Sequence, residues 1–183
     1  MGCAGLASRA RIRLDIGDRA MLFDKELTNK AETLLKLASE KHMRVATAES
    51  CTGGLISALL TEIPGSSVVI GRSFVTYSNR AKHEILDVPV KLLREHGAVS
   101  EEVVRVMAQN TFSKTTAHLT VAVSGIAGPG GGSAAKPAGL VHMATCHEGD
   151  VIHKKHEFGD IGRTEVRLAT VDAAMDMLLA RFD

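Results

Sequence analysis

The sequence predicts an α/β fold, a three-layer α/β/α sandwich around a mixed β-sheet, and three observations lead there. Helical and strand patterns alternate through most of the chain, Val45-Ala46-Thr47-Ala48 and Leu119 to Ser124 read as buried strands, and a hairpin signal at Glu148-Gly149-Asp150 comes late. Alternation implies parallel strands joined by helices, and a late hairpin adds antiparallel ones.

The elements follow in order. From Asp24 to His42, Leu27, Ala31, Leu34, Leu35 and Ala38 recur at helical spacing, which predicts an amphipathic helix. The strand ending at Ala48 follows, then a turn over Ser50 to Gly54 and a helix from Leu55 to Thr61. Pro64-Gly65-Ser66-Ser67 is a turn, and Val68 to Thr76 ends in a strand. Ser78 and Asn79 are helix-capping types, so Arg80 to Leu86 is a short helix stopping before Pro89, and Val90 to His96 gives one or two more turns closed by Gly97. Ser100 caps a helix running to about Lys114, with Glu101 and Glu102 opposing its positive end. After the strand at Leu119 to Ser124 comes a glycine-dense loop, Gly125 to Ser133. Ala138 to Cys146 and Val151 to Phe158 form the hairpin, and a helix spans Gly162 to Arg181. No internal repeat is visible.

With 183 residues the chain suits a single domain, placed at 21–183, and residues 1–20 read as a disordered extension upstream of a start at Met21. Those twenty residues hold four arginines without an apolar core, so they are no secretory signal, and Leu6 stands where a myristoylation motif needs Ser or Thr. No apolar run approaches the roughly 20 residues of a membrane helix. The net charge of +1 leaves no footprint for nucleic acid. Three scattered cysteines, Cys3, Cys51 and Cys146, without a CxxC pair, argue against a disulfide framework or zinc site and for a reducing, cytoplasmic setting.

The segment Ala48-Glu49-Ser50-Cys51-Thr52-Gly53-Gly54 puts two potential nucleophiles and two glycines where a strand becomes a helix. The first amides of that helix lack intrahelical acceptors and can hold a phosphate, a carboxylate or a developing oxyanion. Ser50 needs a base to become nucleophilic. None of the eight histidines stands out: His142, His147, His153 and His156 fall on or beside the hairpin, and no HxH or HExxH spacing marks a metal. Lys82, in the first turn of a helix that follows a strand, is the better base, provided its site depresses its pKa; the alternative is an ordinary solvated lysine. Tyr77, the single tyrosine, precedes it by five residues and can relay a proton. Cys51 is the rival nucleophile. The loop from Gly125, including Gly128, Gly130, Gly131 and Gly132, suits close approach to phosphate or ribose, but Lys136-Pro137 is neither a Walker A nor a dinucleotide signature. Arg163 and Arg167 can face an acidic ligand group or pair with Asp160 and Glu165.

Four segments, Ala48 to Gly54, Val75-Thr76-Tyr77-Ser78-Asn79 with Lys82, His96-Gly97-Ala98-Val99-Ser100-Glu101, and Gly125 to Gly132 with Lys136-Pro137, closely resemble the C-terminal domain of the competence/damage-inducible CinA proteins in their order. The resemblance covers about Glu26 to Phe182. It implies a cytoplasmic nicotinamide mononucleotide deamidase of pyridine-nucleotide salvage, homodimeric, without metal or cofactor, in a form lacking the family's additional N-terminal domain. Its serine, tyrosine and lysine fall on Ser50, Tyr77 and Lys82. Substrate and oxyanion contacts are then expected from Cys51, Thr52, Gly53, Gly54, Thr76, Asn79, Gly125, Gly128, Gly130, Gly131, Gly132, Lys136 and Arg163. A non-catalytic nucleotide sensor and a serine amidase for another small amide are the competing classes.

Overall fold

The computed structural model describes residues 22–182, so the expected extension and the start at Met21 lie outside the described residues. Helix α1 (Lys25–Glu40) begins where the Asp24 carboxylate accepts from the Leu27 amide (2.8 Å), and it buries the five residues its periodicity picks out. Strand β1 (Val45–Glu49) is buried throughout and leads through the Ser50 turn into α2 (Leu55–Glu62). A 3₁₀ turn at Ser66–Val68 precedes β2 (Ile70–Val75). Ser78 then caps α3 (Asn79–Leu86), α4 (Val90–His96) follows, and Ser100 caps α5 (Glu101–Ser113). The chain ends with β3 (Leu119–Gly125), the hairpin of β4 (Leu140–His147) and β5 (Asp150–Glu157), and α6 (Arg163–Leu179). Glu148 and Gly149 both have positive φ, as a two-residue hairpin turn needs.

The five strands lie in the order β2-β1-β3-β4-β5, the first three parallel and the last two antiparallel to their neighbours. Helices α1, α2 and α6 cover one face over Val45, Val121, Val123 and Met143, whereas α3, α4 and α5 cover the other over Ala48, Ala122 and Ala144. β1 and β3 are interior strands buried on both sides, while β5 at the edge alternates.

The topology decides where a ligand can enter. The chain leaves β1 through α2 to reach β2 on one side, then crosses by α3, α4 and α5 to reach β3 on the other. The connections from the carboxyl ends of β1 and β3 therefore diverge, and open α/β sheets bind ligands in the crevice at such a point. Ser50 stands immediately after β1 and the glycine loop immediately after β3.

Candidate active site

The Ser50 turn is held from three sides. Its amide donates to the Val123 carbonyl (3.1 Å), and the Glu49 carbonyl accepts from Thr76 N (2.8 Å), so the turn continues both sheet ladders. From α6, the Arg167 guanidinium donates to the Thr52 carbonyl (2.8 Å). The third hold is Glu49, which is fully buried. Its carboxylate accepts from the amides of Gly54, Ile56 and Ser57 (3.0, 3.1 and 2.9 Å) and from the hydroxyls of Thr52 and Thr47 (2.7 and 3.2 Å). The orphan amides of α2 thus do hold a carboxylate, and it is the protein's own. A negative charge there also opposes the positive helix end.

This corrects two expected oxyanion donors. The Gly54 amide belongs to Glu49, and the Gly53 amide donates to the Ser50 carbonyl (3.1 Å). Gly54 acts through its backbone, since its φ of 101° suits the helix entry and few side chains tolerate it. The amides of Cys51 and Thr52 donate to no carbonyl or carboxylate of the described residues; their acceptor is the Cys51 sulfur, a weak one that leaves them able to serve an oxyanion.

Lys82 enters from α3 and is 1% exposed. Its ammonium reaches Ser50 Oγ and the Thr76 carbonyl, both at 2.8 Å. Burial lowers its pKa to about 8 from 10.5, and no carboxylate offsets the shift; only the Cys51 thiolate form pulls the other way. A lysine so placed is neutral for part of the time near neutral pH, with its lone pair toward the hydroxyl. Burial pushes the neighbouring Cys51 thiol up to about 11, so the rival nucleophile stays protonated. No histidine bonds Ser50 among the described residues. His142 and His153 instead face one another at 3.0 Å, their pKa values lowered first by burial, and His83 turns to the Val88 carbonyl.

Ser50, Cys51 and Lys82 open into a cavity of about 380 Å³ whose far wall is the loop from Ser124 to Gly131, with Ala98 and Val99 between. Gly125 is required there: a Cβ would lie 2.6 Å from Val141 Cγ2 and 2.9 Å from the Leu140 carbonyl. Gly128, Gly130 and Gly131 line the mouth, and the Arg163 guanidinium bridges it, donating to the Gly128 carbonyl (2.8 Å) and to Tyr77 Oη (3.1 Å).

Four other expectations need correction. Tyr77 is 61% exposed and bonded to Arg163, with no bond to Ser50 or Lys82; Thr76, the residue before it, supplies its carbonyl as the lysine's second partner. Asn79 opens α3 and faces a separate cleft with Val90 and Leu93. Gly132 packs on the backbone of Lys136 to Ala138 outside the cavity. The Lys136 ammonium is held by the carbonyls of His96 (2.5 Å) and Val99 (2.6 Å), so it fastens the end of α4 to the loop rather than facing a ligand. Glu49 is the positioning residue that sequence reasoning passed over, although a strand-terminal Glu followed by a helix start was an available signal. Arg167, expected to face an acidic ligand group or to pair with Asp160 and Glu165, instead donates to the Thr52 carbonyl. Among the described residues, no group of three or more His, Cys, Asp or Glu is placed to hold a metal ion.

Comparison with known proteins agrees with the fold. The family model of the CinA C-terminal domain matches residues 27–182. A putative competence-damage inducible protein of Caldicellulosiruptor bescii is 43% identical over 169 residues, which is 92% of this chain and 40% of the relative. A CinA-like protein of Colwellia psychrerythraea is 54% identical over 62% of this chain and 26% of its own length. The chain therefore spans two fifths or less of these relatives. Among solved structures, the competence/damage inducible protein CihA from Agrobacterium tumefaciens superposes with a TM-score of 0.86 at 50% identity, covering 87% of this chain and 98% of that one. A CinA superfamily protein from Klebsiella pneumoniae gives 0.81 at 30% identity, covering 85% and 97%. No described helix is long and apolar enough to cross a membrane.

Proposed function

The chain belongs to the CinA C-terminal domain family, and from that footing we propose that it is a cytoplasmic, homodimeric nicotinamide mononucleotide deamidase of the serine-lysine type. One observation carries the reading: a buried lysine, with its pKa near 8, 2.8 Å from a serine hydroxyl at the floor of a cavity. Ser50 Oγ attacks the carboxamide carbon as Lys82 accepts the hydroxyl proton. The oxyanion sits on the amides of Cys51 and Thr52. Collapse breaks the C–N bond, and Lys82 returns its proton to the departing ammonia. Water then attacks the nicotinoyl ester, Lys82 takes the water's proton, and that proton goes back to Ser50. Arg163 and the amides of Gly128, Gly130 and Gly131 suit the phosphate at the mouth, and Tyr77 offers a ring edge there for the ribose or base.

Ammonia release from nicotinamide mononucleotide is the direct test, with free nicotinamide in parallel to ask whether the phosphoribosyl group is needed. Ser50→Ala is expected to lose turnover by about 10³-fold or more with its fold intact, whereas Cys51→Ala should keep most of it. The reverse pattern would make the enzyme a thiol amidohydrolase. Binding of the nucleotide by wild-type protein without ammonia would leave a sensor.

The pH profile follows from Lys82. The base must be unprotonated, so kcat/KM is expected to rise with pH and level off above about 8. At pH 7 it should stand near one tenth of the plateau. A profile flat from pH 6 to 9 would remove Lys82 from the proton transfer.

A further inference from the structure

A second cavity, of about 420 Å³, lies at the opposite pole of the sheet and takes no part in the proposed reaction. Arg44, just before β1, forms one wall and Arg72 of β2 another, while the segment linking α5 to β3 brings Ser113, Thr115 and Thr116 to its edge. β1 runs between this pole and Ser50, and six residue steps of extended chain separate Arg44 from the nucleophile by roughly 20 Å. The two cavities are distinct.

The floor is built by an irregularity. The β1-β2 register slips between Val45 and Ala46, whose partners are Ile70 and Arg72, so Gly71 has no partner of its own. A Cβ on Gly71 would meet nothing within 4 Å, so the space above it is open.

Charge decides what fits there. Each guanidinium is anchored by one donor to a neutral oxygen: Arg44 Nη1 to Thr116 Oγ1 (3.2 Å) and Arg72 Nη1 to the Lys114 carbonyl (3.0 Å). Neither pairs with a carboxylate among the described residues, and Lys114, the third cation, is matched by Asp87. The carboxyl end of α5 points here with about half a negative charge. Two guanidiniums outweigh it, so the cavity carries a net positive charge of between one and two. With one arm fastened and the rest of the fork free, each arginine has given up part of its side-chain freedom already, which favours a ligand needing planar, two-point recognition. The volume exceeds what a bare oxyanion fills and lies within the range of about 300 to 1,000 Å³ usual for small-molecule sites.

We propose that this pole binds a phosphoryl group, carried by free phosphate or by a phosphorylated metabolite. Arg44 and Arg72 clamp its oxygens, and the Thr116 hydroxyl, which accepts from Arg44 and keeps its own proton to donate, completes the contacts.

Titrating inorganic phosphate, pyrophosphate and adenosine monophosphate separately into ¹⁵N-labelled protein, and following backbone amide shifts, tests this without reference to deamidation. Saturable shifts at Gly71 and at Thr115 to Ala117 are expected with at least one probe, and the tightest probe identifies the source of the phosphoryl group. The Arg44→Gln/Arg72→Gln double variant retains a hydrogen-bond donor at each anchor and should fold. Its affinity at this pole should fall by about tenfold or more, while shifts around Gly128 to Gly131 from any binding at the other cavity stay as in wild type. Absence of saturable shifts at Gly71 and Thr116 with all three probes would overturn the proposal. So would equal binding by the double variant.

Discussion

Lys82→Met is expected to reduce kcat/KM for ammonia release by about 10³-fold or more and, at neutral pH, to make the protein more stable. The first effect removes the group that accepts the serine proton. General bases contribute about 10² to 10⁴, and no other titratable side chain bonds Ser50 Oγ among the described residues. The second follows from linkage. The lysine's pKa is about 8 in the folded chain and 10.5 when solvated. Below pH 8 it is protonated in both states, and folding carries the whole cost of burying its charge, about 3 kcal/mol by that difference. Between 8 and 10.5 the unfolded chain binds more protons, so wild-type stability rises with pH and the cost fades. Methionine fills similar volume and never carries the charge, but it leaves the Thr76 carbonyl without its partner. A net gain on the order of 1–2 kcal/mol at pH 7, shrinking as pH passes 8, is therefore expected in urea denaturation. Lys82→Arg should be as inactive as Lys82→Met, since arginine stays protonated, but without the gain in stability. An active arginine variant would refute the base role.

Glu49→Ala is expected to have the largest effect on folding of any single change at the site, about 4 kcal/mol or more in urea or thermal unfolding. Five donors lose their acceptor at once, three of them the first amides of α2, and a void opens in a fully buried place. Glu49→Gln is the sharper probe of the site. It keeps the shape but turns an NH₂ toward donors, so about 2 kcal/mol of stability should go. With the Ser50 turn loosened, kcat should drop more than tenfold while KM moves less, because near-attack geometry is what the turn supplies. Unchanged kcat in a folded Gln variant would reduce Glu49 to a packing residue.

Much of this architecture was open to reading from residue order alone. The stripe Leu27, Ala31, Leu34, Leu35, Ala38 marks the buried face of α1 because helical period and apolarity coincide, and Ser78 and Ser100 cap because a hydroxyl ahead of free amides has little else to do. Ser50 and Lys82 were legible as a pair for a related reason: each stands where a strand gives way to a helix, and parallel neighbours bring such places together. What stayed hidden depends on which acceptor reaches an amide first. Glu49 and Gly54 lie only five residues apart, yet only the folded turn sends the carboxylate back to the Gly54 amide and the Ser50 carbonyl to that of Gly53. The Lys136 ammonium faces carbonyls contributed from about 40 residues away, and Tyr77, one peptide beyond the carbonyl that holds Lys82, lines the cavity bonded to Arg163 and not to the pair of Ser50 and Lys82. Strand alternation separates these neighbours, and loop curvature, which has no period, sets where they end.

The same alternation gives the adjacent pair Glu49 and Ser50 an unusual standing. One side chain is rooted beneath α2, the other meets a lysine delivered by α3, and a single peptide joins them through the sheet. Catalytic competence thereby becomes a report on both helical layers at once: releasing either one disarms the serine, even with the other still docked. Enzymatic activity during gradual denaturation should consequently vanish with whichever layer loosens first, ahead of or together with the spectroscopic signal of the whole, and a fragment retaining only one layer would be inert however well it folded.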